Sequence, residues 1–221
     1  MKRILLTVIP VLLLDQVVKI WVKTTMAYDS VQELIPGVMN LHMIENPGMA
    51  FGWMIPGHPE MAKIILSVFR ICAVVAISWY LSKLVKKKAH GGLIVCVALI
   101  LAGAAGNIFD SAVYGLIFDM GLTLNPNGID PWQRYQGVAS FSSDGYSTFL
   151  LGHVVDMFRF TVRWPEAMPW LGGKEIFPPI FNIADAAITF GVGIIIARQR
   201  KFFAQPQPPQ TDSNLGSTQS P

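Results

Sequence analysis

Long apolar runs dominate this sequence and restrict the folds that it can adopt. Several of them approach the roughly 20 residues that an α-helix needs to cross a bilayer. Only 14% of the 221 residues are charged and the mean hydropathy is +0.45, whereas an ordinary soluble domain has roughly 25% charged residues. These values exclude most soluble classes. They predict a mainly α-helical membrane protein with a single integral domain over residues 1–204.

The apolar runs predict four transmembrane helices. Their expected bounds are about 4–22, 62–84, 91–117 and 179–197. The first run is longer than the apolar core of a signal peptide and contains Asp15 and Lys19, so we interpret it as a transmembrane helix rather than a cleaved leader. Cys72 and Cys96 each lie inside an apolar run and are expected to be buried free thiols.

Basic residues beside the apolar runs predict the orientation in the membrane. Three basic groups, at residues 2–3, 83–88 and 198–201, fall on one side of a four-helix arrangement. The positive-inside rule makes this side cytoplasmic, together with both termini. The net charge of +3 therefore indicates topology and not nucleic-acid binding. Residues 205–221 are rich in Pro, Gln and Ser and are expected to form a disordered cytoplasmic tail.

Two long polar loops then lie on the extracytoplasmic side. In the first loop, Met39, Leu41 and Met43 alternate with polar residues, which predicts a short, half-buried strand. The second loop, residues 119–152, is rich in Gly, Asn, Ser, Pro and Asp and carries several aromatic residues. We expect it to be an ordered extracytoplasmic insertion.

Acidic side chains in apolar surroundings are the strongest functional signal. Asp185 lies in an apolar run, and an ionised carboxylate in hydrocarbon costs about 2.5–3.5 kcal/mol or more, so it needs a partner or a wet cavity. Asp15, Asp110 and Asp156 lie in or beside similar runs. In the predicted topology all four carboxylates can meet near the outer boundary. Asn182 precedes Asp185 by three residues and is expected on the same helical face.

Two chemistries are compatible with such a cluster. Asp15 pairs by helical spacing with Lys19, and Asn107 with Asp110, so these side chains can surround one polar site. Two neighbouring carboxylates in a low-dielectric site share a proton, which makes one a base and the other an acid, as in aspartic proteases. Intramembrane acids also serve proton relays and transporters. The residues alone leave a protease and a small proton-coupled transporter or relay open.

Five short motifs in the chain resemble those of one family. They are Asp15-Gln16-x-x-Lys19, Asn46-x-Gly48-x-Ala50-Phe51, Gly106-Asn107-x-x-Asp110, Val154-Val155-Asp156 and Phe181-Asn182-x-Ala184-Asp185. In type and order they are similar to those of lipoprotein signal peptidase, or signal peptidase II, a family of aspartic endopeptidases of the bacterial inner membrane. The resemblance extends from Leu14 to Thr189, apart from the insertion.

The resemblance implies a function and a site. Members of the family remove the signal peptide of prolipoproteins immediately before a diacylglyceryl-modified cysteine. The resemblance also implies that Asp156 and Asp185 are the catalytic pair and that the fold includes a small extracytoplasmic β-cradle. The supporting or substrate-facing residues would be Asp15, Lys19, Asn46, Gly48, Asn107, Asp110 and Asn182. The expected partners are a lipid-modified prolipoprotein and membrane lipids. The protein is expected to act as a monomer with no metal, cofactor or nucleic acid.

Three features depart from the family pattern, of which Met49, in place of the usual Ala, is expected to alter only the pocket volume. The family commonly has an arginine after Gly-Asn-x-x-Asp, whereas this chain has Ser111, and Arg159 is the candidate to replace that arginine. The segment between Asp110 and Asp156 is also several times longer than usual. The insertion is therefore a lid, a substrate-selecting surface or a passive addition.

Overall fold

Helices form most of the structure. The computed structural model describes residues 2–47, 59–125 and 132–203. Within these ranges three helices are long and apolar enough to cross a membrane: α1 (Lys2–Thr25), α2 (Pro59–Lys86) and α3 (Gly91–Phe109) with its continuation. The continuation of α3 is a π-helical turn (Asp110–Tyr114) followed by the short α4 (Gly115–Ile117). Two further helices follow later in the chain, α5 (Ile183–Ala197) and the short α6 (Gln199–Phe202).

The long helices turn apolar side chains outward. Leu6 and Leu13 of α1 and Phe69 of α2 are 65%, 61% and 67% exposed. Such faces suit a lipid environment, and the predicted architecture of several apolar helices is confirmed. The last apolar helix, α5, has only 15 residues. Cys96 is buried as expected, whereas Cys72 is exposed on α2, so the prediction for Cys72 is wrong.

α5 begins four residues later than the expected start at 179. Two prolines precede it, and Phe181 forms an antiparallel bridge with Phe158, so the chain is still extended here. Asn182 is also extended (φ −121°, ψ −178°), and its side chain caps the helix by accepting a hydrogen bond from the backbone of Asp185. The expectation that Asn182 shares a helical face with Asp185 is therefore wrong, because Asn182 precedes the helix.

A small antiparallel sheet lies at one end of the helices. Its order is β1 (Val31–Ile35), β2 (Met39–Asn46) and β5 (Val154–Phe160), and a separate pair joins β3 (Thr123–Leu124) to β4 (Trp132–Gln133). The predicted strand is β2, where Leu41, Met43 and Glu45 are buried on one face. Ile44 pairs with Asp156 of β5, which fixes that residue beside the helices.

Two apolar cores hold the two ends of the molecule. The core at the sheet end includes Val22, Met26, Met43, Tyr114, Phe118, Val155 and Met157. The core at the other end includes Leu81, Leu84, Leu93, Val97 and Phe202. The first core joins α1, the π-helical turn and the sheet, and it therefore positions the residues described below.

α3 packs closely against α1 and α5 because it presents glycines at the contacts. A Cβ on Gly103 would overlap the carbonyl oxygen of Ala184, and a Cβ on Gly106 would lie 2.7 Å from a carboxylate oxygen of Asp15. Small residues at such contacts allow the helices to approach closely.

The described parts of the insertion are ordered against the π-helical turn. Gly152 donates its backbone N–H to the carbonyl of Ser111 (2.9 Å), Asp119 donates to Ser140 (3.0 Å), and Phe118 forms a bridge with Phe141. The insertion therefore returns the chain directly to the start of β5.

Candidate active site

A capping box at the start of α5 fixes Asp185. The Asn182 side chain accepts the backbone N–H of Asp185 at 2.9 Å, and the Asp185 carboxylate accepts the backbone N–H of Asn182 at 3.4 Å. Asn107 of α3 donates its amide to the other oxygen of Asp185 at 2.8 Å. These donors and the positive end of the helix dipole stabilise a negative charge on a side chain that is half-buried.

Asp156 lies next to this capping box, on β5. Its side chain is buried, at 2% exposure. The Asn182 amide nitrogen lies 2.6 Å from one carboxylate oxygen, and the amide of Asn46 donates to the other oxygen at 3.3 Å. Asn182 therefore contacts both Asp156 and Asp185, and it holds the strand and the helix in register with each other.

Lys19 of α1 bridges two further carboxylates. Its ammonium lies 2.8 Å from Asp15 and 2.7 Å from Asp110, and all three side chains are at most 1% exposed. Asp15 also accepts the backbone N–H of Ala184 at 2.8 Å, in the first turn of α5. Such a buried charge group is stable only as a set, because removal of one partner leaves an uncompensated charge.

Asn107 connects the Lys19 group to the Asp185 carboxylate. Its side-chain oxygen accepts from the ammonium of Lys19 at 2.9 Å and lies 3.1 Å from the Asn182 amide nitrogen. With its oxygen engaged by two donors, the Asn107 amide can only turn its N–H toward Asp185. Lys19 and Asn182 thereby orient the Asn107 amide that donates to Asp185.

Sequence reasoning assigned no role to two other polar residues of this region. Gln16 donates to Asp110 at 2.8 Å and to Asp15 at 3.1 Å, and the hydroxyl of Tyr114 donates to the oxygen of Gln16 at 3.0 Å. Gln16 lies inside a family motif, so the sequence could have identified it as a residue of the site. No sequence pattern identified Tyr114, because its approach to Gln16 depends on the π-helical turn that begins at Asp110.

The cation expected in place of the family arginine is not where it was predicted. Arg159 forms an ion pair with Glu175 at 2.7 Å and lies 3.4 Å from His42, on the sheet side. It makes no described contact with Asp110, so the hypothesis that Arg159 replaces the arginine is wrong. Ser111 instead donates to the backbone carbonyl of Asn107 at 3.2 Å.

Arg70 of α2 is a cation of this region that the sequence interpretation missed. Its guanidinium is half-buried and interacts electrostatically with Asp185, Asp156 and Asp110, in that order. The position of Arg70 on an apolar helix gives no information in the sequence about the direction in which its side chain points.

The electrostatics of Asp156 differ from those of an ordinary aspartate. Burial and, after it, the charge of Asp185 raise the pKa of Asp156 from 3.8 to about 7, against the smaller opposing effects of Lys19, Asn46 and Asn182. A proton on Asp156 is therefore retained up to neutral pH. The pair can present one protonated and one ionised carboxyl group.

A second buried polar group lies on the other face of β2. Glu45 forms an ion pair with Lys23 of α1 and accepts from the hydroxyl of Tyr135 at 2.8 Å and from the backbone of Leu122 at 3.0 Å. Burial alone would raise the pKa of Glu45, but Lys23 and His153 lower it to about 2. We call the group of Lys23, Glu45, Tyr135 and His153 the Glu45 cluster. The sequence gave no signal for it.

We call the first group the aspartate cluster. It brings together every described residue that was predicted for the site: Asp15, Lys19, Asn46, Asn107, Asp110, Asp156, Asn182 and Asp185. Gly48 lies outside the described residues. The roles assigned to the individual residues stay predictions.

The fold and this cluster define a helical membrane protein with paired carboxylates where a strand meets a helix start. The sequence model of the family described as signal peptidase (SPase) II matches residues 7–200. The chain is 37% identical over 203 residues to the lipoprotein signal peptidase of Porphyromonas gingivalis, covering 88% of this chain and 81% of that protein. The chain therefore belongs to the signal peptidase II family, a family of proteases.

Other relatives agree with this assignment. A lipoprotein signal peptidase of Symbiobacterium thermophilum is 34% identical over 195 residues, covering 88% of this chain and 91% of that protein. A solved bacterial membrane enzyme shares the fold with a TM-score of 0.57 at 23% identity, covering 94% of both chains. The predicted family is confirmed, and the alternative of a small proton-coupled transporter is not favoured.

Proposed function

We propose that this protein is an aspartic endopeptidase in which Asp156 and Asp185 hold the attacking water between them. The observation that carries the proposal is the position of Asn182, whose side chain contacts Asp156 while its backbone and side chain cap Asp185. One residue thereby places two carboxyl groups beside each other. Their different surroundings suit the different roles of an acid and a base.

The environment of each carboxyl group supports one assignment of roles. Asp185 is half-buried and receives N–H donors at a helix start, so it is the ionised group that removes a proton from water. Asp156 is buried and its pKa is raised to about 7, so it holds the proton that polarises the substrate carbonyl.

The proposed reaction then proceeds in two steps. The water oxygen attacks the scissile carbonyl carbon while Asp185 takes a water proton and Asp156 gives its proton to the carbonyl oxygen. The tetrahedral intermediate breaks when Asp185 protonates the leaving amine and Asp156 recovers its proton from the hydroxyl group. The products are a carboxylic acid and an amine, and the two aspartates return to their initial protonation states.

The substrate we propose is a prolipoprotein whose cysteine carries a diacylglyceryl group, cleaved immediately before that cysteine. Membership of the family supports this choice. The aspartate cluster lies where the sheet meets the ends of apolar helices, so the lipid could remain in the bilayer while the peptide crosses the carboxyl pair.

We further propose four spans in the bacterial inner membrane, with both termini cytoplasmic and the sheet and site extracytoplasmic. The arrangement of the helix ends supports this topology. Arg3 lies against Gly91, and the ring of His90 lies 5.1 Å from that of Phe202, so the three basic segments gather at one end. The aspartate cluster lies toward the other end.

The proposal is tested with purified protein and two precursor peptides that differ only in the diacylglyceryl group on cysteine. We expect cleavage of the lipidated peptide immediately before the cysteine and little cleavage of the unlipidated one, measured by mass spectrometry of the products. Equal cleavage of both peptides would contradict the substrate assignment. A transporter would cleave neither peptide and would move protons across vesicle membranes.

A further inference from the structure

A polar cavity lies beside the Glu45 cluster and apart from the aspartate cluster. Its volume is about 210 Å³, and it opens between the first turns of α2 and the insertion. Its walls include Glu60, Lys63, Trp132, Tyr146, Leu151 and His153. None of the residues assigned to the aspartate cluster lines it, so the cavity is a separate feature. We call it the Lys63 pocket.

Lys63 gives the pocket a buried positive charge. Its side chain is only 3% exposed, its ammonium donates to the backbone carbonyl of Leu151, and it lies 5.4 Å from the ring centre of Trp132. Within the described residues no carboxylate oxygen lies within 4 Å of this ammonium, which has three N–H donors. A buried charge that lacks a counter-charge is costly, so the pocket favours an anionic ligand.

His153 adds a second buried polar group with spare capacity. It is 2% exposed, and among the described residues neither ring nitrogen has a hydrogen-bond partner of good geometry, although Nδ1 lies 3.4 Å from the Glu45 carboxylate and acts on its charge. Its ring stacks on Tyr146 (5.7 Å between centres) and meets the edge of Trp132 (5.0 Å), so it cannot easily turn away. A ligand in the pocket would meet a ring nitrogen that is held in place and available.

Glu45 acts on Lys63 at longer range and does not contact its ammonium directly. Its two oxygens already receive Lys23, the Tyr135 hydroxyl and the backbone N–H of Leu122. The other carboxylate of the pocket is Glu60, which is exposed at the rim. The inner end of the pocket is therefore positive, and it suits a carboxylate that enters deeply, beyond the exposed Glu60.

We propose that the Lys63 pocket binds an acidic side chain of the prolipoprotein on the mature side of the cleaved bond. This inference rests on the proposed function. Lys63 precedes Arg70 by seven residues, about two turns of α2, and Arg70 acts on Asp185 and Asp156, so the pocket lies roughly 10 Å from the carboxyl pair. An extended peptide at the pair would place its third or fourth residue there. The signal sequence is apolar and lies in the bilayer, which leaves the mature side.

The test compares lipidated precursor peptides that carry Glu or Gln at one position, scanned over the second to fifth residues of the mature part. With the wild-type protein, the Glu peptide should have a KM about tenfold lower than the Gln peptide at one position, with an unchanged kcat. In Lys63→Met the difference should disappear. Equal KM values at every position, or a preference that persists in Lys63→Met, would overturn the proposal.

A second variant keeps the test decisive if Lys63→Met does not fold. Thr123 is an exposed wall residue, and Thr123→Glu adds a negative charge to the pocket. This variant should abolish the preference for Glu over Gln, and an undiminished preference would contradict the assignment.

Tighter binding of phosphatidylglycerol vesicles, without any peptide preference, would assign the pocket to a lipid headgroup instead. Failure to cleave any peptide would count against the proposed function and not against the pocket.

Discussion

The two buried clusters share β2 but differ in how completely their polar groups are satisfied. In the aspartate cluster, Asp156, Asp185 and Asn182 each have described hydrogen-bond partners, and Lys19 faces two carboxylates. In the second region Glu45 is satisfied, but the neighbouring His153 has no hydrogen-bond partner within the described residues. The difference agrees with the proposal that the first cluster holds its carboxyl pair in place for chemistry. The second combines an anchor for the insertion with space for a ligand.

The difference also follows the two faces of β2. Asn46 contacts Asp156 of β5 on one face, whereas the preceding Glu45 points to the insertion on the other, as the alternation of a strand requires. A single strand therefore connects the residues of the family motifs with the insertion. Variants that change one cluster alone can separate their roles.

The largest expected effect is on the stability of the aspartate cluster. Lys19→Met leaves Asp15 and Asp110 as neighbouring buried carboxylates without a cation, and we expect a loss of about 3–5 kcal/mol in the free energy of unfolding. Lys83→Met is the control, because Lys83 is exposed on α2 and lies over Trp79. Denaturation in detergent measures both variants, and equal losses would contradict the role of Lys19.

A somewhat smaller effect is expected in the Glu45 cluster. Glu45→Gln leaves Lys23 buried without its carboxylate, so we expect a loss of about 3 kcal/mol and faster proteolysis within the insertion. The folded fraction should still hydrolyse substrate, since Asp156 and Asp185 keep their partners. Glu33→Gln, at an exposed position of β1, is the control. Proteolysis that is as slow as in the wild type would show that Glu45 does not anchor the insertion.

The dependence on pH should come from the aspartate cluster. Because one proton must be shared by the pair and the pKa of Asp156 is about 7, kcat/KM should fall above pH 7 by about tenfold per pH unit. Stability should also decrease as pH rises from about 4 to 7, because the folded state then binds more protons than the unfolded state. Asp156→Asn should reduce this change in stability. A rate profile that is flat from pH 6 to 9 would contradict the assignment.

The smallest expected effect concerns the two arginines. Arg70 is half-buried and acts on the carboxyl pair at longer range, so Arg70→Gln should lower kcat/KM by about threefold to fivefold. Arg159→Gln should leave the rate constant nearly unchanged, because Arg159 pairs with Glu175. A larger loss of kcat/KM in Arg159→Gln than in Arg70→Gln would indicate that Arg159 does replace the family arginine.

The sequence predicted the parts of the molecule that depend on local patterns. The apolar runs placed α1 and α3 closely, and the alternation at Met39–Met43 placed β2. The family motifs, with apolar context, identified the carboxylates that meet. Local patterns could not show that the stretch around Asp156 is a strand, because a buried strand lacks alternation and its partner lies far away in sequence.

Long-range contacts explain what the sequence did not predict. Arg159 looked available for the site because it follows Asp156 closely, but the sheet directs it toward Glu175. Lys23 and His153 are far apart in the chain, and only the packing of the insertion on α1 and β2 brings them to Glu45. Physical reasoning on the sequence found four acids, and the family resemblance was needed to select two of them.

The most direct test of the account is the cleavage rate of Asp185→Asn with saturating lipidated precursor, on protein whose unfolding midpoint matches the wild type. Asn keeps the shape of Asp185 but cannot take a proton from water. We predict no cleavage above the uncatalysed background, and the same result for Asp156→Asn. Cleavage near the wild-type rate in either folded variant would contradict the claim that this pair performs the hydrolysis.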